Sequence, residues 1–114
     1  MNAKTFLKVV IHVSADYAYL VREILSDVEA GKTAEYEYYT FSIKGTRRSR
    51  SLKGPRALMG QTDEIEHTEE ERIETFIETS RKNLLLTEIQ TIEPHIDVMV
   101  DFYRVEDSSC LGHF

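Results

Sequence analysis

Cysteine is nearly absent from this chain. Cys110 is the one copy among 114 residues, and a lone cysteine excludes an internal disulfide from the framework. Long apolar runs are missing too: no stretch approaches the roughly 20 residues that span a bilayer. Residues 1–8 have no extended apolar segment and no small-residue cleavage site, so the N-terminus does not read as a secretory signal. These absences fit a reducing compartment, and the expected location is cytoplasmic. Aromatic residues are missing from 44–60, which disfavours base stacking on single-stranded nucleic acid there.

What remains has the make-up of one ordinary domain with one core, 41% hydrophobic and 30% charged. The net charge is −6, a balance that argues against a nucleic-acid binder. Its distribution is uneven. Lys44, Arg47, Arg48, Arg50, Lys53 and Arg56 place six of the fourteen cations within 44–56, with no acid among them. Elsewhere eight cations face twenty acids, a balance of −12. Segregation of that kind marks the part of the surface that attracts anions.

Residues 6–13 are rich in β-branched side chains and predict a strand, with Leu7, Val9, Ile11 and Val13 on one face and Phe6, Lys8, Val10 and His12 on the other. Ser14 or Asp16 is the expected helix cap. Tyr17, Leu20, Val21, Ile24, Leu25 and Val28 then follow helical spacing, with Arg22, Glu23, Ser26 and Asp27 on the wet side. Gly31 sits where a C′ glycine belongs. Residues 36–43 predict the second strand, in which Tyr39, Phe41 and Ile43 alternate with Tyr38, Thr40 and Ser42. Residues 45–60 lack any period and read as a long loop, a kind that is usually functional or disordered. Residues 72–78 predict the third strand, with 62–71 as an arm that extends it. Thr79 or Ser80 caps a second helix with the stripe Leu85, Leu86, Ile89 and Ile92, which Pro94 ends. Residues 96–105 are the last strand, and 106–114 read as a flexible tail.

The order β-α-β-β-α-β predicts a ferredoxin-like α+β fold: a four-stranded antiparallel sheet with two helices on one face, spanning 1–105 as a single domain. Such a sheet leaves its other face bare. That face is expected to present some of Val10, His12, Tyr38, Thr40, Met99 and Tyr103, too apolar for open solvent, so another subunit should cover it.

Residues 21–25 (Val-Arg-Glu-Ile-Leu), Gly31-Lys32, the stretch 36–42, Gly45, Leu52, Gly54, Gly60 and Arg72-Ile73-Glu74-Thr75 together resemble the YqfO-type domain of the NGG-one-interacting-factor-three family. The resemblance covers about residues 6–104. It implies a fold related to PII signal proteins and CutA ion-tolerance proteins, a trimer built around the sheets, and a recognition loop between strands two and three. Two family patterns are altered: Arg47 and Ser49 stand where the loop usually has a second glycine and an aromatic, and residues 93–98 keep only Pro94 and an acid at Asp97. The dinuclear metal centre of the longer family members belongs to a surrounding domain that this sequence does not contain.

The candidate site is therefore the basic stretch: Lys44, Arg47, Arg48, Arg50, Lys53 and Arg56. Guanidinium forks match phosphate or carboxylate oxygens, and glycine permits close backbone approach. The competing reading pairs these cations with the acids of 63–78, within or between subunits. His12, His67, His95 and His113 lack metal-ligand spacing, and Cys110 with His113 supplies at most two ligands, so no metal or cofactor is expected. Glu69, Glu70, Glu71, Glu74 and Glu78 read as a solvated edge or charge partners rather than as acid–base groups. The expectation is a non-enzymatic, PII/CutA-like oligomeric binding or regulatory module, a trimer by preference, whose basic loop recognises an anionic small molecule or a protein partner. The alternatives are a divalent-metal-binding protein of CutA type and a purely structural oligomer.

Overall fold

Alternating β-branched residues and two amphipathic stretches produce six principal elements. They are β1 (Phe6–Ser14), α1 (Ala18–Asp27), β2 (Phe41–Arg50), β3 (Ile65–Glu78), α2 (Lys82–Ile89) and β4 (Val98–Arg104). The computed structural model describes residues 4–52, 64–92 and 96–106. Lys53, Arg56, Pro94, His95, Cys110, His113 and the expected tail from 107 onward lie outside the described residues.

The sheet order is β2-β3-β1-β4, antiparallel throughout, which is the ferredoxin-like arrangement. Val9, Ile11 and Val13 of β1 are wholly buried, as are Ile73 and Ile77 of β3. They meet Val21, Ile24 and Leu25 of α1 and Leu85 and Ile89 of α2. The helices thus cover the face on which alternate β1 residues are aliphatic, because burying that stripe releases the most apolar area from water. Arg81 Nε donates to the carbonyl of Val28 at 2.7 Å and ties the start of α2 to the end of α1.

Several local expectations are corrected. Both helices are approached through 3-10 turns, Ala15–Tyr17 and Thr79–Arg81; Ser14 takes the cap position of the first turn, the α-helical caps are Tyr17 and Arg81, and none of the three makes a side-chain cap hydrogen bond. Glu29, with φ 60°, rather than Gly31, with φ 68°, is the C′ residue after α1, although both are left-handed. Its N–H reaches Ser26 O at 3.0 Å and the N–H of Ala30 reaches Leu25 O at 2.8 Å, the paired bonds of a Schellman motif. Arg22 is not on the wet side. It crosses to the sheet and bonds the carboxylate of Glu71, which is only 6% exposed.

The largest correction concerns β2. Residues 36–40 are not strand: Tyr38 takes φ 64°, a left-handed conformation that breaks extension. The strand instead runs through the basic stretch, so Lys44, Gly45, Arg47, Arg48 and Arg50 lie in β2 rather than in a loop. β3 is correspondingly long, and the earlier acidic residues extend it as expected. Pairing of β1 with β3 stops at Ser14 opposite Glu70. Beyond it, residues 65–69 pair only with residues 46–50 of β2. This two-stranded arm is about 17 Å long at the usual rise per residue.

Candidate functional site

Directly opposed residues in antiparallel strands share a face, so the register sorts every side chain. The face away from the helices carries Lys8, Val10 and His12 from β1; Glu70, Arg72, Glu74 and Phe76 from β3; Met99, Asp101 and Tyr103 from β4; and Phe41, Ile43, Gly45 and Arg47 from β2. Of the residues expected there, Val10, His12, Met99 and Tyr103 take their places. Tyr38 and Thr40 precede the strand and do not. Phe41 and Ile43 occupy the face instead, at 60% and 42% exposure.

The open face is an ionic lattice between apolar rims. At one end Phe76 packs edge-on against Phe6, with ring centroids 6.3 Å apart, and tilted against Tyr39 at 6.0 Å. In the middle Glu74 lies 3.0 Å from Lys8 Nζ and 3.0 Å from Arg72 Nε. At the other end Glu70, almost fully buried, lies 3.1 Å from Arg47 Nε and 3.8 Å from His12 Nδ1. Arg47 also reaches Asp97 at 3.6 Å. A cavity of about 390 Å³ opens beside Glu70, bounded by Arg47, Arg72, His12, Ile43 and Met99.

The Glu74 carboxyl is held below its ordinary value of 4.5 by the hydrogen bond from Lys8, with the charges of Lys8 and Arg72 acting in the same direction against partial desolvation. A lowered folded pKa means that this contribution to stability is complete above the unfolded value and is lost as pH falls through the lowered one. Removing the ammonium with Lys8→Met should therefore destabilise most near pH 7 and progressively less below about pH 4.5. Urea unfolding of both proteins at about pH 7 and pH 3 checks the sign, and an equal difference at the two values refutes it.

The six predicted site residues separate into three groups. Arg47 points to the open face and is engaged by Glu70 and Asp97. Lys44, Arg48 and Arg50 project from the opposite face of β2, all exposed, and none has an ion-pair partner among the described residues. Lys53 and Arg56 lie outside the described residues. Neutralisation of the cations by β3 is thus realised at Arg47 and not at the other three. Glu71, opposite Lys44, is taken by Arg22, and Glu69, opposite Thr46, accepts a hydrogen bond from that hydroxyl at 3.0 Å.

Sequence reasoning missed Glu70, Arg72 and His12 as a cluster. The signal was parity: once β3 extends back past residue 70, Glu70, Arg72 and Glu74 fall on the same face as His12. Among the described residues no group of three or more His, Cys, Asp or Glu is arranged to hold a metal. Among them also, no helix is long and apolar enough to cross a membrane.

No family model matches the chain. Over 101 residues it is 29% identical to the GTP cyclohydrolase 1 type 2 homolog of Bacillus subtilis, a match that covers 89% of this chain and 27% of that protein. The crystal structure of a Bacillus cereus protein related to NIF3 superposes with a TM-score of 0.76 at 31% identity, covering 94% of this chain and 27% of the other. The periplasmic divalent cation tolerance protein CutA of Archaeoglobus fulgidus superposes with a TM-score of 0.57 at 13% identity over 90% of this chain and 85% of its own, a likeness of fold. The chain thus spans about a quarter of the length of the first two relatives and 85% of the CutA chain.

Proposed function

This chain is a YqfO-type domain of the NIF3-related family with a PII/CutA-like fold, and from that premise we propose that it is a non-enzymatic, self-associating binding module that recognises anions through β2. One observation carries the reading: Lys44, Arg48 and Arg50 stand exposed on a single face of an edge strand with no acidic partner among the described residues. In an acidic chain, local attraction to counter-charge makes such a row an anion-recognition surface. Arg48 and Arg50 lie two residues apart, about 7 Å along the strand. That spacing suits two phosphates of one small molecule, or two acids on an extended partner.

Self-association is supported by the open face. Phe41, Ile43, Met99 and Tyr103 are each 42–60% exposed on one side of one sheet, and a second copy covering them removes that apolar area from water. A trimer is the form we favour. The same reading takes 1–105 as the domain, 106–114 as a tail, and the cytoplasm as the location.

The test has two arms. Light scattering should give a mass well above the 13.2 kDa of one chain, and a monomer's mass rejects self-association. Nucleoside di- and triphosphates titrated into the wild type should bind in a salt-sensitive manner. The Lys44→Ala/Arg48→Ala/Arg50→Ala variant should bind at least about tenfold more weakly, whereas Arg47→Ala should bind nearly normally, because Arg47 is already engaged. Silence across a panel of anionic metabolites and acidic peptides rejects the anion reading.

A further inference from the structure

The β2–β3 ladder does not carry its charge evenly. On the face turned away from the open one, register sorts its outer part into four rungs. From the body of the sheet outward they are Lys44 with Glu71, Thr46 with Glu69, Arg48 with His67, and Arg50 with Ile65. Both acids stand on the inner two rungs. There Glu71 is bonded to Arg22, and Glu69 accepts from the Thr46 hydroxyl. Lys44 and Arg22 thus meet two carboxylates, and the inner rungs balance. The outer rungs hold Arg48, Arg50 and His67 with no acid on that face. Glu66, the acid next to His67 in the chain, opposes Ser49 and turns to the other side.

Register also gives the outer rungs a shape. Directly opposed residues of an antiparallel pair have Cβ atoms about 4.5–5.5 Å apart, and diagonal ones about 7–8 Å. His67 has Arg48 across from it, Thr46 and Arg50 on its diagonals, and Glu69 and Ile65 along its own strand. All six are exposed, and the side chains of His67, Arg48 and Arg50 have no partner among the described residues. Two cation-forming side chains set opposite each other add no attraction to the ladder. They do converge on one small space. A carboxylate brings two oxygens to such a group. A phosphate monoester brings three, with a charge of about −1.5 to −2, and so suits two guanidinium forks and an imidazole N–H. Ile65, opposite Arg50 and 45% exposed, offers an apolar contact to whatever the phosphate esterifies.

We propose that the outer end of the arm is a phosphate-monoester site in which His67 joins Arg48 and Arg50, with the apolar part of the ester against Ile65. The site rests on the anion reading and narrows it, because Lys44 then belongs to the carboxylates of the inner rungs and not to the ligand. His67 is the member that the basic stretch does not reveal, since it comes from the acidic run on the neighbouring strand.

Calorimetric titration with phenyl phosphate, methyl phosphate and benzoate tests the proposal. Phenyl phosphate should bind at least about tenfold more tightly than benzoate and about threefold more tightly than methyl phosphate. Arg48→Ala should weaken it about tenfold, and Lys44→Ala should bind as the wild type does. His67→Gln should weaken it at least about fivefold at about pH 6 and less at about pH 8, because histidine ordinarily loses its charge across that interval. Comparison with the wild type at each pH cancels the ligand's own protonation. His67→Lys should hold its affinity at both values, which separates a lost charge from a disturbed fold. A phosphotyrosine peptide that binds more tightly than phenyl phosphate makes a partner's modified side chain the source of the group, and equal affinity makes the source a free small molecule. Equal affinity for benzoate overturns the proposal, as does a His67→Gln protein that binds like the wild type at both pH values. So does a loss in Lys44→Ala as large as that in Arg48→Ala, since the row then attracts anions diffusely and the anion reading stands without this site. A wild type that binds no anion removes both.

Discussion

Gly31→Ala should be among the most damaging single-methyl additions in this protein, with a loss of about 2–5 kcal/mol. Gly31 has φ 68°, a conformation in which an L side chain is disfavoured by roughly 1–2 kcal/mol. An added Cβ would also stand 2.5 Å from Tyr39 O and 2.9 Å from both Tyr39 N and Thr75 Oγ1. Two of these atoms are backbone and cannot swing aside, so an overpacking penalty of about 1–3 kcal/mol adds to the strain. The junction itself matters. The Gly31 N–H donates to Phe76 O at 2.8 Å, its carbonyl accepts from Tyr39 N–H at 3.0 Å, and Thr75 Oγ1 donates to Tyr39 O at 2.7 Å. These bonds fix the chain just ahead of β2. Glu29 offers the control, because it has nearly the same φ, 60°, and is exposed. Glu29→Gly should be neutral or stabilising by up to about 1 kcal/mol, since it relieves the same strain without adding an atom. Urea unfolding of both variants reads opposite signs. A Gly31→Ala protein within about 1 kcal/mol of wild type removes the argument.

The glycine also shows what was legible in the sequence. The sequence marks Gly31 as special but not its role, because helical spacing cannot separate a C′ position from a close backbone approach two residues later. Elements with strong periodicity were read well. β1, α1 and the stripe of α2 each carry aliphatic residues at one period, and burial against a common core fixes them. β2 was misplaced because local preference points the wrong way. Residues 36–40 are aromatic and resemble strand, while 44–50 carry four cations and a glycine. What makes 44–50 a strand is not intrinsic to it. Its neighbour supplies the reason: β3 offers a continuous antiparallel ladder from Glu74 back to Ile65, and Arg47 reaches Glu70 across it.

The candidate site was half legible for the same reason. Composition alone located the positive stretch, but the division of its labour depends on parity. Arg47 and Gly45 turn to one face, and Lys44, Arg48 and Arg50 to the other. Parity can be read only when the strand is recognised as a strand. The burial of Glu70 and Glu71 was hidden further, because a run of three acids looks solvated until these two are seen beside Arg47 and Arg22.

Of those two carboxylates, Glu71 carries the second large prediction. It sits on the helix side of β3, 6% exposed, bonded to Arg22 from α1, whose side chain is 29% exposed. Taking one member of such a pair away leaves a charge in a place that water barely reaches. Arg22→Ala should therefore lose about 3–5 kcal/mol, a far larger effect than an exposed ion pair would give. Replacing both groups, as Arg22→Met with Glu71→Leu, should recover most of the loss, because an apolar pair of similar volume needs no desolvation offset. Lys44 is the complication, since it stands directly opposite Glu71 on the edge strand, exposed and without an ion-pair partner among the described residues. If it swings in to replace Arg22, the Arg22→Ala loss shrinks, and Lys44→Ala in that background restores the full effect. Thermal unfolding of the four proteins decides between these routes. A small loss in Arg22→Ala that Lys44→Ala does not deepen means that water already serves Glu71, and the pair then does not hold α1 to the sheet.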